Sequence, residues 1–346
     1  MKKSFFSLKD VWQPDSDYSN HRIPGIIVTK SGAVLIYCEA RRTASDWAMM
    51  DILLQRSEDG ANSFGEPIIL AKGTDEHKTV NNPVMVEDLR GRIHFLYCED
   101  YTINGGRVLH RYSDDDGITW SKPEDITAAA MPEYHNAFAL GPGHGIVAND
   151  GTLIIPVWMV PKINEAPLDA HSPSVVSTLY SCDNGDTWSL GEIISDVDGV
   201  KNPNETVAAL TSDGKIYLNI RMHGKCRAVA YSDNGCSGWR DYHADENLPD
   251  PQCFGSVSSY DDGEHPYTLL FVNCDSTDKR ENITVRLSTD GGKTYPISRT
   301  IDLERGGYVD IAVDNNKKRI YALYEDKFGI TDHLAIFNYE WITADI

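Results

Sequence analysis

The stretch NHRIPGIIV, Asn20 to Val28, sets an arginine at the mouth of an apolar run, and five further stretches set polar groups at comparable places. CEARRTASDW brings Arg41 and Asp46 after the run AVLIY, NPNETVAAL presents Glu205, IYLNIRMH carries Arg221 near its end, DKRENITVRL opens with Arg280, and GGYVDIAV presents Tyr308. Arg286, six residues after Arg280, competes with it for the same place, which Arg280 takes because it stands before the strand. A guanidinium is permanently charged and its fork matches a carboxylate with two parallel hydrogen bonds, so converging arginines would hold an acid group. A carboxyl group gives or takes a proton at a reacting oxygen. A phenol, with a pKa near 10, needs a base beside it to act as a nucleophile. Each residue also has a structural reading: arginine stems lie along strands or pair with acids, Glu205 and Arg221 suit an ion pair within a sheet, Tyr308 suits a capped core, and Asp46 suits a solvated loop. What sets them apart is their common position at the ends of apolar strands.

Something must bring these stretches together, and internal repetition indicates what. SEDGANSF from Ser57, SDDDGITW from Ser113, SCDNGDTW from Ser181, SDNGCSGW from Ser232 and STDGGKTY from Ser288 share the pattern S-x-D-x-G-x-T-W, with starts 56, 68, 51 and 56 residues apart. In a hairpin the Asp carboxylate accepts backbone N–H groups, the Gly takes a positive φ, and the aromatic packs beneath. The first copy departs at Ala61 and Phe64, the fourth at Asn234, Cys236 and Gly238. Between copies lie short β-rich runs such as RIHFLYCED, TLIIPVWMV, KIYLNIRM, YTLLFVN and RIYALYED, bounded by turn residues, and helical periodicity is scarce. A period of roughly 50 to 60 residues with several short strands in each predicts an all-β, six-bladed β-propeller. It would be a single domain spanning 1–346, the blade without a copy being closed by LAIFNYEWI pairing with N-terminal residues. Two β-sandwiches would not demand the repeated turn. In a propeller the inner strand ends face the central channel, so these arginines, the two acids and the tyrosine are expected around one pocket.

Composition narrows the ligand. The 52 Asp and Glu against 32 Lys and Arg give a net charge of -20, which argues against nucleic acid or an anionic membrane as partner and requires that any anionic ligand meet a local positive cluster. The start MKKSFFSLKDVW is too short in apolar residues for a secretory core, and no later run approaches a membrane span, so the chain reads as cytoplasmic or as the mature form of a secreted protein. Cys38, Cys98, Cys182, Cys226, Cys236, Cys253 and Cys274 are odd in number and widely spaced, which suits buried free thiols better than disulfides or zinc.

From about Arg22 to Glu340 these motifs taken in order, RIP, EARR with SDW and DI, the Asp-boxes, GPGHGI, NET with NIR, CFGSV, R-x-N-I-T-V-R and GYVD, resemble the sialidase (neuraminidase) superfamily in its bacterial and animal form. The resemblance implies that Arg22, Arg221 and Arg280 grip the substrate carboxylate, that Tyr308 is the nucleophile with Glu205 as its base, that Asp46 is the general acid/base, and that Arg41 is an accessory arginine near the sugar's 4-position. A phenol suits this substrate because its anomeric carbon bears a carboxylate that would repel an Asp or Glu anion. Trp47 would help keep Asp46 protonated by excluding solvent, and His144 in GPGHGI would support a turn. NNPVMVED, Asn81 to Asp88, stands where relatives often read N-P-C-P-V and help form the sugar pocket. The implied activity is retaining exo-α-sialidase hydrolysis of terminal sialic acids on glycans, with no metal or organic cofactor. Rival readings keep the machinery for Kdn or Kdo, transfer the sugar instead of hydrolysing it, or bind sialosides silently, although binding alone would need none of Tyr308, Glu205 and Asp46.

Overall fold

The run VLIYCEAR, Val34–Arg41, is buried from end to end, as only a strand covered on both faces can be. Its alternate residues show what covers it: Leu35 and Tyr37 pack with Met85, Phe95 and Tyr97 of the sheet that follows, whereas Ile36 and Cys38 pack with Tyr321, Leu323 and Leu334 of the last sheet. A sheet buried between a neighbour on each face is one slice of a closed ring. The computed structural model describes residues 3–102, 105–131, 135–161, 171–194, 197–326 and 328–344, and its strands form six antiparallel sheets around an axis, a six-bladed β-propeller.

Blade 1 comprises Asn20–Val28, Val34–Arg41, Met50–Ser57 and Ile68–Lys72 from inside to outside. Blade 2 comprises Val80–Glu87, Ile93–Thr102, Gly105–Ser113 and Glu124–Asp125, with Gly143–His144 laid parallel to its inner strand. Blade 3 is His135–Leu140, Leu153–Pro161, Val175–Ser181 and Ser189–Leu190, blade 4 Thr206–Leu210, Ile216–Ile220, Cys226–Ser232 and Arg240–Pro249, and blade 5 Ser256–Tyr260, Thr268–Cys274, Ile283–Ser288 and Ile297–Asp302. Blade 6 takes Val309–Asp314, Arg319–Glu325 and Asp332–Phe337 from the end of the chain and its outer strand, Phe6–Trp12, from the start.

The Asp-boxes join the third strand of a blade to the fourth. Ser181 Oγ accepts the Gly185 N–H at 2.8 Å and donates to Asp183 Oδ1 at 2.8 Å, while that carboxylate accepts the Thr187 N–H and hydroxyl at 2.8 and 2.6 Å. The glycine is needed twice over, because Gly185 has φ +84° and a Cβ there would lie 2.2 Å from His94 Cε1 of blade 2. In blade 6 the third and fourth strands come from opposite ends of the chain, so there is no hairpin to cap and no sixth box. The closing pairing runs from Phe6 opposite Phe337 to Trp12 opposite Asp332. LAIFNYEWI thus pairs only as far as Phe337. Asn338 ends the strand by accepting the Phe5 and Trp341 N–H groups at 2.9 and 3.1 Å, and Tyr339–Ile342 turn into a short helix whose Trp341 stacks on Phe6 at 4.6 Å.

All seven cysteines are free, as expected, but Cys182 is exposed and Cys226 and Cys236 are half-buried, so only four are core thiols. No helix among the described residues is long and apolar enough to cross a membrane.

Candidate active site

Each second strand ends where its blade's inner strand begins, at the face of the propeller away from the Asp-boxes. There the axis opens into a cavity of about 280 Å³, lined by Arg22, Arg41, Asp46, Glu205, Arg221, Arg280 and Tyr308, with Glu39, Asn82, Trp158 and His171 among the remaining walls. The four arginines, two acids and tyrosine expected around one pocket all line this cavity. Arg286 does not: it is buried between strands, with its guanidinium on Asp275 at 2.6 Å and Asn273 Oδ1 at 2.7 Å.

Tyr308 stands at the centre of the group, immediately before the inner strand of blade 6. Its hydroxyl donates to Glu205 Oε1 at 2.6 Å and accepts from Arg221 Nη1 at 2.7 Å. Glu205 and Arg221 are themselves ion-paired, and they are held opposite one another by an extension of the blade 4 ladder, the Arg221 N–H donating to the Glu205 carbonyl at 3.0 Å. The guanidinium carbons of Arg22, Arg221 and Arg280 lie 5.3, 5.9 and 5.3 Å from the Tyr308 ring centre. Three cations thus surround one phenol in a chain of net charge -20, the local positive cluster that an anionic ligand requires. Burial pushes the Tyr308 phenol well above its ordinary value, and the arginines offset this only in part. It is therefore a neutral phenol with a carboxylate on its proton.

Two acids that the sequence reading did not weigh position the arginines. Glu325 Oε1 accepts from Arg22 Nε at 3.0 Å and from the Ile23 N–H at 2.8 Å. Glu39 pairs with Arg41 and accepts the Asn82 N–H at 2.7 Å. The two arrangements are one device used twice. Each glutamate lies near the end of a second strand and faces the next blade, Glu39 sharing the parity of Leu35 and Tyr37, and Glu325 that of Tyr321 and Leu323. Each meets a bulge in that blade's inner strand, between Arg22 and Gly25 in one case and Asn81 and Val84 in the other. At these bulges Ile23 and Asn82 hold φ of 56° and 50°, a left-handed backbone that a β-branched residue adopts only when its surroundings impose it. The signal for both glutamates was an acid inside an otherwise apolar strand.

Two expectations change. Asp46 is not held protonated by Trp47. It is ion-paired with Arg41 and its side chain is 54% exposed; the part of it that is buried favours the neutral form, but Arg41 outweighs this and holds the carboxyl below the usual range. Trp47 stacks instead on His171, ring centres 6.3 Å apart. His144 lies deeper on the axis than the cavity, and supports more than a turn: its Nδ1 is 2.8 Å from Asp310 Oδ1, a carboxylate that also accepts from the Ser256 hydroxyl and the Ile26 N–H at 2.7 and 2.9 Å, so that blades 1, 5 and 6 are tied at the axis.

A phenol with its base, an anion-binding ring of arginines, and a second carboxyl across the cavity can attack, hold and protonate a carboxylated substrate. The chain matches the BNR repeat-like domain over residues 35–321. It is similar to an exo-alpha-sialidase of Arthroderma benhamiae, 29% identical over 94% of this chain and 85% of that one, and to a sialidase of Micromonospora viridifaciens, 29% identical over 94% of this chain and 52% of that one. Among solved structures it superimposes on the Hadza microbial sialidase Hz136 with a TM-score of 0.83 at 24% identity, covering 94% of this chain and 67% of that one. The chain belongs to the BNR repeat-like family and is a glycoside hydrolase of the sialidase superfamily.

Proposed function

We propose that this protein is a retaining exo-α-sialidase, its whole length one catalytic propeller, that removes terminal sialic acid from glycans through a tyrosyl intermediate. The observation that carries the reading is the Tyr308 hydroxyl on Glu205 at 2.6 Å inside a ring of three arginines. Arg22, Arg221 and Arg280 take the substrate carboxylate and fix it beside the anomeric carbon, where its negative charge stabilises the oxocarbenium-like transition state. Glu205 draws the proton from Tyr308 as the phenolic oxygen bonds to the anomeric carbon, and Asp46 gives a proton to the departing glycosidic oxygen. In the second step Asp46 takes a proton from water, the water oxygen bonds to the anomeric carbon, and the phenolate leaves and recovers its proton from Glu205. Two displacements at one carbon retain its configuration. Arg41, held by Glu39, offers a donor to a ring hydroxyl.

The test uses a 2,3-difluoro sialic acid, whose C2 fluoride departs readily while the C3 fluorine slows loss of the sugar from the enzyme. Mass spectrometry of the digested protein should find the adduct on the peptide holding Tyr308, and proton NMR of ordinary turnover should show the α-anomer first. An adduct elsewhere, or the β-anomer first, overturns the mechanism. Turnover of neither 3′-sialyllactose nor an aryl sialoside overturns the activity.

A further inference from the structure

The burial of the site orients the substrate. The arginines that take the carboxylate are largely buried, Arg22 and Arg221 at 17% and 16% exposure, whereas Asp46, which gives the proton, is 54% exposed, so the bond to be cleaved lies toward the open side of the cavity. The sugar that follows the cleaved bond must therefore rest outside, on the rim, where Asp46 can reach the bridging oxygen. The residue adjoining Asp46 is Trp47, an indole with 41% of its surface exposed. It is held in place: its ring lies nearly parallel to His171, 17° off at 6.3 Å, and His171 meets Trp158 edge-on at 5.6 Å and 60°. Trp158 is only 5% exposed and lines the cavity wall. An aromatic ladder thus climbs from the wall of the cavity to its rim and ends beside the acid.

We propose that Trp47, braced by His171, is the platform for the leaving group, and that it takes a neutral hexose by stacking on the apolar C–H face of its ring. A rigid indole at a site rim offers large contact area at little ordering cost, and the hexose covers part of its exposed surface. A neutral sugar fits better than an acidic one, because the rim beside the platform carries Asp46 and the chain as a whole is strongly anionic.

The inference rests on the sialidase reading, and the test separates the two. kcat/KM is measured on 3′-sialyllactose, which carries the hexose, and on methyl α-sialoside, which does not, for the wild type, Trp47→Ala and Trp47→Phe. Trp47→Ala should lower the value for 3′-sialyllactose about 3- to 10-fold more than that for methyl α-sialoside, the range of one aromatic contact, and Trp47→Phe should recover most of the difference. Wild-type activity on neither substrate overturns the reading and the inference together. Wild-type activity on both, with equal losses in Trp47→Ala, overturns the inference alone and assigns the ladder to the sialic acid itself. A Trp47→Phe variant no better than Trp47→Ala also overturns it, because the contact would not then be one of ring stacking.

Discussion

Asp46 is the ion-pair partner of Arg41, with its carboxyl held below the usual range. For a residue proposed as proton donor this has a direct consequence. Above its pKa the protonated fraction of a carboxyl falls tenfold with each pH unit, so donation to a poor leaving group is favoured in acid. An aryl sialoside, whose phenolate departs without help, does not need that proton. The ratio of kcat/KM on 3′-sialyllactose to that on an aryl sialoside should therefore rise as pH falls from 7 to 5. In Asp46→Asn the ratio should be low and flat. A ratio flat in the wild type would assign the donor's role to another group. At Tyr308 the direction is opposite: burial keeps the phenol neutral, so its reactivity depends on Glu205 and not on phenolate present in advance.

At the scale of strands and turns, the site depends on parity and on two bulges. Glu39 and Glu325 reach the neighbouring blade because successive strand residues point to opposite faces, and they hold Arg41 and Arg22 while also accepting the N–H groups of Asn82 and Ile23. The Asp-box supplies a sharper test of how turns are specified. At Gly185 a methyl group would meet His94 at 2.2 Å with the backbone at φ +84°, whereas Ala61 in the first box already carries a Cβ at φ 64° and is fully buried against blade 6. Gly185→Ala should cost about 2–4 kcal/mol, from left-handed strain plus overpacking, and Ala61→Gly within about 1 kcal/mol. Urea denaturation checks both, and a reversed order would show that the pattern glycine is not demanded by space. The box repeat and the apolar runs made the six blades legible in the sequence, and residue type at strand ends made the seven pocket residues legible. Glu39 and Glu325 were not, because nothing in CEARR or LYED says which face of the strand an acid takes until the neighbouring blade is known. The ion pair of Asp46 was hidden for the same reason: Arg41 and Asp46 are five residues apart across a loop whose path the sequence does not record.

The whole molecule is a ring of sheet-on-sheet interfaces, closed where the first strand joins the last, and the contact between blades 2 and 3 carries a titratable pair. His94 Nδ1 lies 3.0 Å from His110 Nε2, and Trp188 of blade 3 meets both rings edge-on at 6.2 and 5.5 Å. Asp88, 3.7 Å from His94 Nε2, attracts a proton to His94, while Arg92 opposes one on either ring, but burial is the larger effect and lowers His94 to about 4 and His110 to about 3. Because both folded values are depressed, the unfolded chain binds protons first as pH falls below about 6.5, and stability is lost on the acid side. At up to ~1.4 kcal/mol per pH unit for each ring, the fold should lose about 4 kcal/mol between pH 7.5 and pH 5 from this pair. His110→Gln keeps a hydrogen-bonding group but removes one titration, so its loss over the same range should be about half. Urea midpoints at the two pH values measure this, and an unchanged loss in the variant would show that the pair does not govern acid stability. The two pH dependences run against each other: acid supplies the proton that Asp46 must give, and acid opens the interface between blades 2 and 3. Turnover of natural glycosides should therefore peak on the acid side of neutrality and fall away below about pH 5, with the fall tracking unfolding in the wild type and moving to lower pH in His110→Gln.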